Sequence, residues 1–515
     1  MVAEARHTIR NAGWLVVQRG FHVLGTAVFA VLVPRLMGPT VFGRFALLMA
    51  VSTWFAILSN IGAVPMLTRC VPRFVAARDR IGLTALTTSL TALRGLTGAC
   101  SAAAYFALAA LVLREPDAPA VAFVAAGLFC RTTGNVSYAL FLGLNRAARW
   151  GAGDLLRRWL GLILVTAGFL GGGLRGACQG FFLAELAVQL CGLWWARDYL
   201  DWSTVDLSRR HLGSYLKVST MYAAAGLLET LTQRSGEAIV RLSTGSYEQV
   251  AFFGAAYAIY LTAASALWQA TMAFAPLLVT LLEQGHRAAV ADWLARLLKV
   301  VTVAAVLAVP TMVFLGPDLV PWLLGSRYAP VAANAVPVML LLLPSALGNA
   351  GRLLALALDR PKVMATAAAI EMVTFWCVGT LLAPKAGSLG ACWAALPAAV
   401  LQAGYLWRRT RRELPFSLTP AAQAVALSVV FVPLAWLRGS LAVNGALLAA
   451  GTVAYAALLV ASGTITIEEI AGLRRELRAA RGAAAPAIAG PLEAARVSTG
   501  DPAAAGLPVD TTPRP

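Results

Sequence analysis

Apolar segments long enough to cross a bilayer recur along almost the whole chain, and they constrain the fold more than any single motif does. A spanning helix needs roughly 20 mostly apolar residues. About fourteen segments reach that length, at 12–34, 45–65, 83–113, 118–142, 155–172, 174–195, 213–241, 251–282, 298–316, 332–357, 363–383, 386–407, 421–437 and 443–462. A soluble domain averages about 25% charged residues, whereas 13% of these 515 residues are charged and 59% are hydrophobic. The expected fold class is an all-α integral membrane protein.

The segments also repeat. Gly176-Ala177-Cys178 returns 214 residues later as Gly390-Ala391-Cys392, each copy just after a turn (Gly171-Gly172-Gly173-Leu174; Gly387-Ser388-Leu389) and each followed by a glutamine, Gln189 and Gln402. A fainter pair, Gly38 with Phe42-Gly43-Arg44-Phe45 and Gly245 with Val250-Ala251-Phe252-Phe253, is offset by 207. Equivalent helices of the two halves run the same way, so the expectation is two parallel six-helix pseudo-repeats plus an accessory C-terminal helix pair. Residues 1–200 and 201–412 would form the two lobes, with 201–212 as a cytoplasmic connector, 413–465 as the accessory pair and 466–515 as a largely disordered cytoplasmic tail. Membrane proteins built from such halves hold a site between them and alternate access to it.

A net charge of +18 first suggests a polyanionic partner. Its distribution argues against nucleic acid. With the N-terminus inside, most of the 42 Lys and Arg fall on cytoplasmic flanks, among them Arg69, Arg73, Arg146, Arg149, Arg157, Arg158, Arg408 and Arg409. That is the positive-inside pattern, and it places both termini in the cytoplasm. The seven cysteines lie in or beside apolar segments, so neither a disulfide framework nor a metal site is expected. No phosphate-binding loop motif occurs, no loop is large enough for a catalytic domain, and nothing calls for a cofactor. An enzyme is therefore not expected.

Charge inside the bilayer costs roughly 2.5–3.5 kcal/mol on insertion scales, so a persisting charge faces a cavity or a partner. Several fall on stripes of helical spacing: Arg19, His22 and Thr26; Arg131, Asn135 and Tyr138; Ser219, Tyr222, Gly226, Glu229, Gln233 and Glu237; Ser345, Asn349 and Arg352. Arg94, Glu185 and Glu371 stand more alone, and Arg234 lies three residues before Glu237. The functional reading is a hydrated chamber between the halves. Arg19, His22, Arg94, Arg131, Asn135, Tyr138, Gln233, Arg234, Asn349 and Arg352 would meet a diphosphate and its sugars, because a guanidinium binds phosphate oxygens in pairs. Glu185, Glu229, Glu237 and Glu371 are the candidates for ion coupling. The plainer readings are that Arg19 and Arg352 reach to the headgroups, that Glu237 pairs with Arg234 or Arg241 on its own helix, and that Glu185 and Glu371 serve arginines elsewhere.

The first hairpin, Val33-Pro34-Arg35-Leu36-Met37-Gly38-Pro39-Thr40-Val41-Phe42-Gly43-Arg44-Phe45, resembles that of Wzx-like polysaccharide flippases of the multidrug/oligosaccharidyl-lipid/polysaccharide exporter superfamily. Gly62 and Arg69, Val250-Ala251-Phe252-Phe253-Gly254-Ala255-Ala256-Tyr257, Leu323-Leu324-Gly325-Ser326-Arg327-Tyr328 and Leu389-Gly390-Ala391-Cys392 are similar to further markers of that family, with Ala251 where it carries glycine. The resemblance implies a bacterial inner-membrane protein that moves undecaprenyl-diphosphate-linked oligosaccharide from the inner to the outer leaflet, beside a polysaccharide polymerase and chain-length regulator. A peptidoglycan-precursor flippase and a drug/cation antiporter share the fold and remain alternatives. A multi-spanning glycosyltransferase or ligase is the reading from another class.

Overall fold

The computed structural model describes residues 2–59, 63–207, 226–272, 278, 281–282, 284–358 and 360–465; side chains of 2–17 and of a few further residues, Arg19 among them, lie outside the described residues. The described chain forms two compact units, Met1–Tyr455 and Ala456–Pro515. In the second, described to residue 465, the end of the last helix turns back as Ile465 N donates to Leu459 O at 3.1 Å.

In the first unit, α1 (Val2–Leu58) is followed by α2 (Ala63–Ala76), α3 (Arg80–Leu111), α4 (Ala118–Gly143) and α5 (Ala147–Ala196). Helical residues 226–234 lead into α6 (Gly236–Thr244), α7 (Tyr247–Met272), α8 (Arg287–Leu324), α9 (Ala329–Leu340), α10 (Leu342–Ala357) and α11 (Pro361–Arg411). A broken segment, α12 (Thr419–Leu437), and α13 (Leu441–Ala461) as far as Tyr455 complete it. No strand occurs among the described residues. Eight helices there are long and apolar enough to cross a membrane. The last positions of the expected second span fall elsewhere: α1 ends at Leu58, and Arg69 and Arg73 sit on the separate helix α2.

Three of these helices are too long to be single spans. Fifty-seven residues in one straight α1 would reach about 85 Å, against a hydrocarbon core of about 30 Å. Each breaks at glycine. In α1 the break is Gly38 (φ 70°), flanked by Pro34 and Pro39, which cannot supply the missing helical N–H groups. In α5 it is Gly173 (φ 59°, ψ −138°) and in α11 Gly387 (φ 58°, ψ −138°). The two turns share one backbone geometry at positions 214 apart. Beyond them the arms press together through glycine. A Cβ on Gly176 would strike the Gly168 carbonyl, and one on Gly390 the Leu382 carbonyl, again the same pair of positions shifted by 214. Small residues allow such backbone approach where apolar burial between helices gives no driving force in lipid. The chain is thus an all-helical multi-pass membrane protein with two pseudo-repeats.

The halves meet along α1 and α7. Gly43 lies against the Tyr247 carbonyl, and a buried cluster joins Phe42 and Phe45 to Phe252, Phe253 and Tyr328. Around it the Gly38 and Gly245 turns are tied by polar contacts. Tyr328 donates its hydroxyl to Pro34 O at 2.9 Å, and Thr40 donates to Glu248 at 3.0 Å. The buried Glu115 carboxylate takes Arg44 Nε at 2.8 Å on one oxygen and the Tyr247 hydroxyl at 3.0 Å on the other.

Candidate functional site

Below that tied end lies a cavity of about 450 Å³ between α1, α4 and α5 on one side and residues 226–234, α6 and α7 on the other. Its wall from the first half carries most of the cavity's charged groups among apolar side chains. Helix α5 contributes Asp154, Arg157 and Arg158 from its first arm and Glu185 from its second; α4 adds Arg131 and α1 adds His22, Thr26 and Thr53. Steps of three and four put Asp154, Arg157, Arg158 and Gly161 on one helix face. The opposite wall is mostly small or apolar, with Gly254, Ala255, Ala258 and Leu261 on α7, and its charges are Arg234 and Glu237.

Two networks organise these groups. The first centres on Glu185, which is 3% exposed. It accepts from Arg157 Nε at 3.0 Å, and Arg131 Nε lies 3.8 Å from its other oxygen. Arg157 Nη2 also donates to Asn135 Oδ1 at 2.9 Å. A buried carboxylate shared by two guanidiniums satisfies the condition that charge in low dielectric be paired, and it fixes the arginines at the cavity edge. The second network is Asp154, which holds His22 Nδ1 at 2.8 Å and Gln18 Nε2 at 2.9 Å. Arg158 and Arg234 have no carboxylate within ion-pair distance among the described residues. Four arginines stand against three carboxylates, and two of the arginines have no carboxylate partner among the described residues, so the lining carries net positive charge.

Of the residues expected from sequence, the structure brings His22, Arg131, Arg234, Glu185 and Glu237 to this cavity, with Asn135 one layer behind through Arg157. Glu237 is buried, and its Oε2 has no hydrogen-bond partner among the described residues. It does not pair with Arg241, which turns to the Gly245 carbonyl and covers the Tyr247 ring at 3.8 Å. Arg19's side chain, Ser219 and Tyr222 lie outside the described residues.

The remaining candidates stand elsewhere. Arg94, 1% exposed, donates to the Ser59 carbonyl just past the end of α1 and to Thr132 O at 3.2 and 3.0 Å. It closes a helix C-terminus, whose carbonyls need donors. Tyr138 donates to Val188 O at 2.7 Å and packs edge-on against Trp195. Glu229 pairs with Arg352, whose guanidinium lies 5.9 Å from the centre of the Trp268 ring, and Gln402 donates to Glu371. Asn349 is buried on α10 beside this second cluster. Gln233 precedes Arg234 without lining the cavity. Sequence reasoning placed Arg157 and Arg158 on a cytoplasmic flank and did not single out Asp154. Their i, i+3, i+4 spacing ahead of an apolar run was the available signal.

The profile of a family described as polysaccharide biosynthesis protein matches residues 8–282, more than half of the chain. No curated protein matches. Among solved structures, an inward-facing multidrug resistance MATE family transporter of the MOP superfamily aligns with a TM-score of 0.68 and 17% identity, over 76% of this chain and 94% of that one. The lipid II flippase MurJ in an inward closed conformation aligns at 0.67 and 11% identity, over 87% and 98%. An outward-facing MATE structure aligns at 0.56 and 15% identity, over 79% and 95%. These likenesses are of fold, and the matched structures are described as MATE transporters and a lipid II flippase. The chain belongs to the polysaccharide biosynthesis protein family.

Proposed function

We propose that this protein is a flippase that carries undecaprenyl-diphosphate-linked oligosaccharide from the cytoplasmic to the outer leaflet of a bacterial inner membrane, for surface polysaccharide synthesis. The single observation that carries the reading is the arginine-lined cavity, where Arg158 and Arg234 lack carboxylate partners among the described residues. The head enters the cavity while the polyprenyl tail stays in lipid. Arg131, Arg157, Arg158 and Arg234 offset the diphosphate charge; His22, Asn135 and the threonines serve hydroxyls or the arginines themselves. Residues 1–200 and 201–412 act as lobes that rock about the α1–α7 seam, with both termini in the cytoplasm and 413–465 as an accessory pair. The stronger match to an inward-facing relative than to an outward-facing one supports assigning the Arg44–Glu115–Tyr247 tie to a closed outer side.

The likeness to a lipid II flippase favours a second reading, in which the cargo is a peptidoglycan precursor. Depleting the protein in its host and identifying the lipid-linked intermediate on the inner leaflet separates the two. Accumulated polysaccharide repeat units, cleared by wild type, support the first. Accumulated peptidoglycan precursor supports the second. An unchanged lipid pool with the protein absent sinks both.

A further inference from the structure

The cavity contains a chain of three side chains whose hydrogen-bond roles are fixed by their chemistry. His22 Nδ1 lies 2.8 Å from Asp154 Oδ2. The other ring nitrogen, Nε2, lies 3.3 Å from Arg158 Nη2. A guanidinium has donors and no acceptor, so Nε2 accepts and carries no proton. Nδ1 then holds the ring's one proton and gives it to the Asp154 carboxylate, which Gln18 Nε2 also holds in place at 2.9 Å. Neither contact alone would choose a tautomer, but the two together leave one. Nε2 is covered by a cation that has no carboxylate of its own among the described residues.

The charged groups that face this trio come from every element around it. Helix α5 presents Arg157 and Glu185, α4 presents Arg131, residues 226–234 present Arg234, and α6 presents Glu237. Helix α7 faces it with uncharged Thr262 and Ser265. Glu185 is taken up by Arg157 and Arg131. The positive charge of the surrounding arginines thus faces the ring until an anion lies between them.

We infer that Asp154, His22 and Arg158 form a proton-binding relay through which an anionic head group and one proton enter the cavity together. Drawn onto Arg158, the anion takes over that guanidinium's hydrogen bonds and frees His22 Nε2. The freed lone pair forms one N–H bond as a hydronium ion in the cavity breaks one O–H bond and remains as water. The imidazolium then stands between Asp154 and the anion. Because each event favours the other, anion and proton bind with reciprocal coupling. That the anion is a lipid diphosphate rests on the functional reading above; the relay itself requires only an anion.

The test uses the full chain in detergent and two probes, undecaprenyl diphosphate and inorganic pyrophosphate. With a histidine-specific ¹⁵N label, the four histidines are resolved by comparison with His22→Gln. The ligand-free protein at pH 8 should show His22 with Nδ1 protonated and Nε2 bare. Adding pyrophosphate should protonate Nε2. Undecaprenyl diphosphate should bind more tightly as pH falls through the histidine range, by up to about tenfold per pH unit, with one proton taken up per ligand. His22→Gln should bind with no such slope. The opposite tautomer, an unprotonated Nε2 at saturating pyrophosphate, or an equal slope in His22→Gln would each overturn the relay. If the lipid fails to bind while pyrophosphate still protonates Nε2, the flippase reading falls and the relay stands.

Discussion

Arg157 and Glu371 occupy the same register of the two halves, 214 residues apart, as do Asn135 and Asn349 and the glycine turns at 173 and 387. The backbone around them is the same and the charge is opposite. In the first half Arg157 is held by Asn135 and Glu185 at the edge of an open cavity. In the second, Glu371 takes a hydrogen bond from Gln402, near a closed Glu229–Arg352 pair, and does not line that cavity. The repeat fixes what the fold needs: a glycine with left-handed φ at the turn, and small residues where the arms touch. It leaves the polar position free, provided its charge has a partner. One half places its charged groups at the cavity and the other holds its own in a separate cluster.

The comparison breaks most visibly at the carboxylates. Glu185→Ala leaves Arg157 and Arg131 facing each other without a counter-charge. Removing one partner of a buried pair costs roughly 3–5 kcal/mol. The two arginine side chains are 23% and 36% exposed, so screening by cavity water brings this down to about 2 kcal/mol. Glu371→Ala removes the partner of a neutral amide and should cost about 1 kcal/mol. In thermal unfolding of the purified protein, the fall in midpoint should be clearly larger for Glu185→Ala. Equal falls would mean that the second half also houses a charge network of the same weight.

Head-group affinity sharpens the same contrast. Arg131→Ala removes a charge-assisted donor from the cavity wall, and such bonds are worth about 1.5–3 kcal/mol. Undecaprenyl diphosphate should therefore bind roughly tenfold more weakly or worse. Arg352→Ala opens the Glu229 pair but touches no part of the cavity lining, so its affinity should change by less than about twofold. Comparable losses from both would place the head between the two clusters, not on the first wall.

Much of this architecture was legible beforehand because it is written in glycine and in apolar length. The Gly176 and Gly390 repeats mark places where two backbones touch, a demand no other residue meets. The site was only partly legible. Arg131 and His22 stand inside long apolar runs, so their cost in lipid betrays them. Arg157 and Arg158 do not, because α5 begins as early as Ala147 and carries them inward, whereas positive-inside counting places them at its edge. Arg94 has the same intramembrane signature as Arg131, yet it satisfies backbone carbonyls at Ser59 and Thr132. A stripe of helical spacing tells which residues share a face, not whether that face meets water or another helix. The pairing of Glu237 with Arg241 failed for a related reason. Gly245, with φ 68°, ends α6 and exposes a carbonyl that takes the guanidinium instead.

The smallest expected effect is a difference between two glycine substitutions that the repeat makes nearly equivalent. Gly173 and Gly387 share φ near +58° and ψ −138°, a conformation that side chains with a Cβ rarely adopt. Alanine at either site should therefore cost on the order of 1–3 kcal/mol in backbone strain. Around Gly173 a Cβ meets open space, whereas at Gly387 it runs into the amide of Gln249. That amide is engaged: Gln249 Oε1 accepts from Ser388 N at 2.9 Å and from Ser388 Oγ at 2.7 Å, and Ser388 in turn takes Asn334 Nδ2 at 2.8 Å. Moving it gives up about one net hydrogen bond. Gly387→Ala should exceed Gly173→Ala by about 1 kcal/mol, read as the difference between their thermal midpoints. Adding Gln249→Ala to both should bring the two values together, because it removes the obstruction without relaxing the turn. If the gap survives that second change, the turns differ in their backbones after all, and the likeness of the two halves ends at the hairpin.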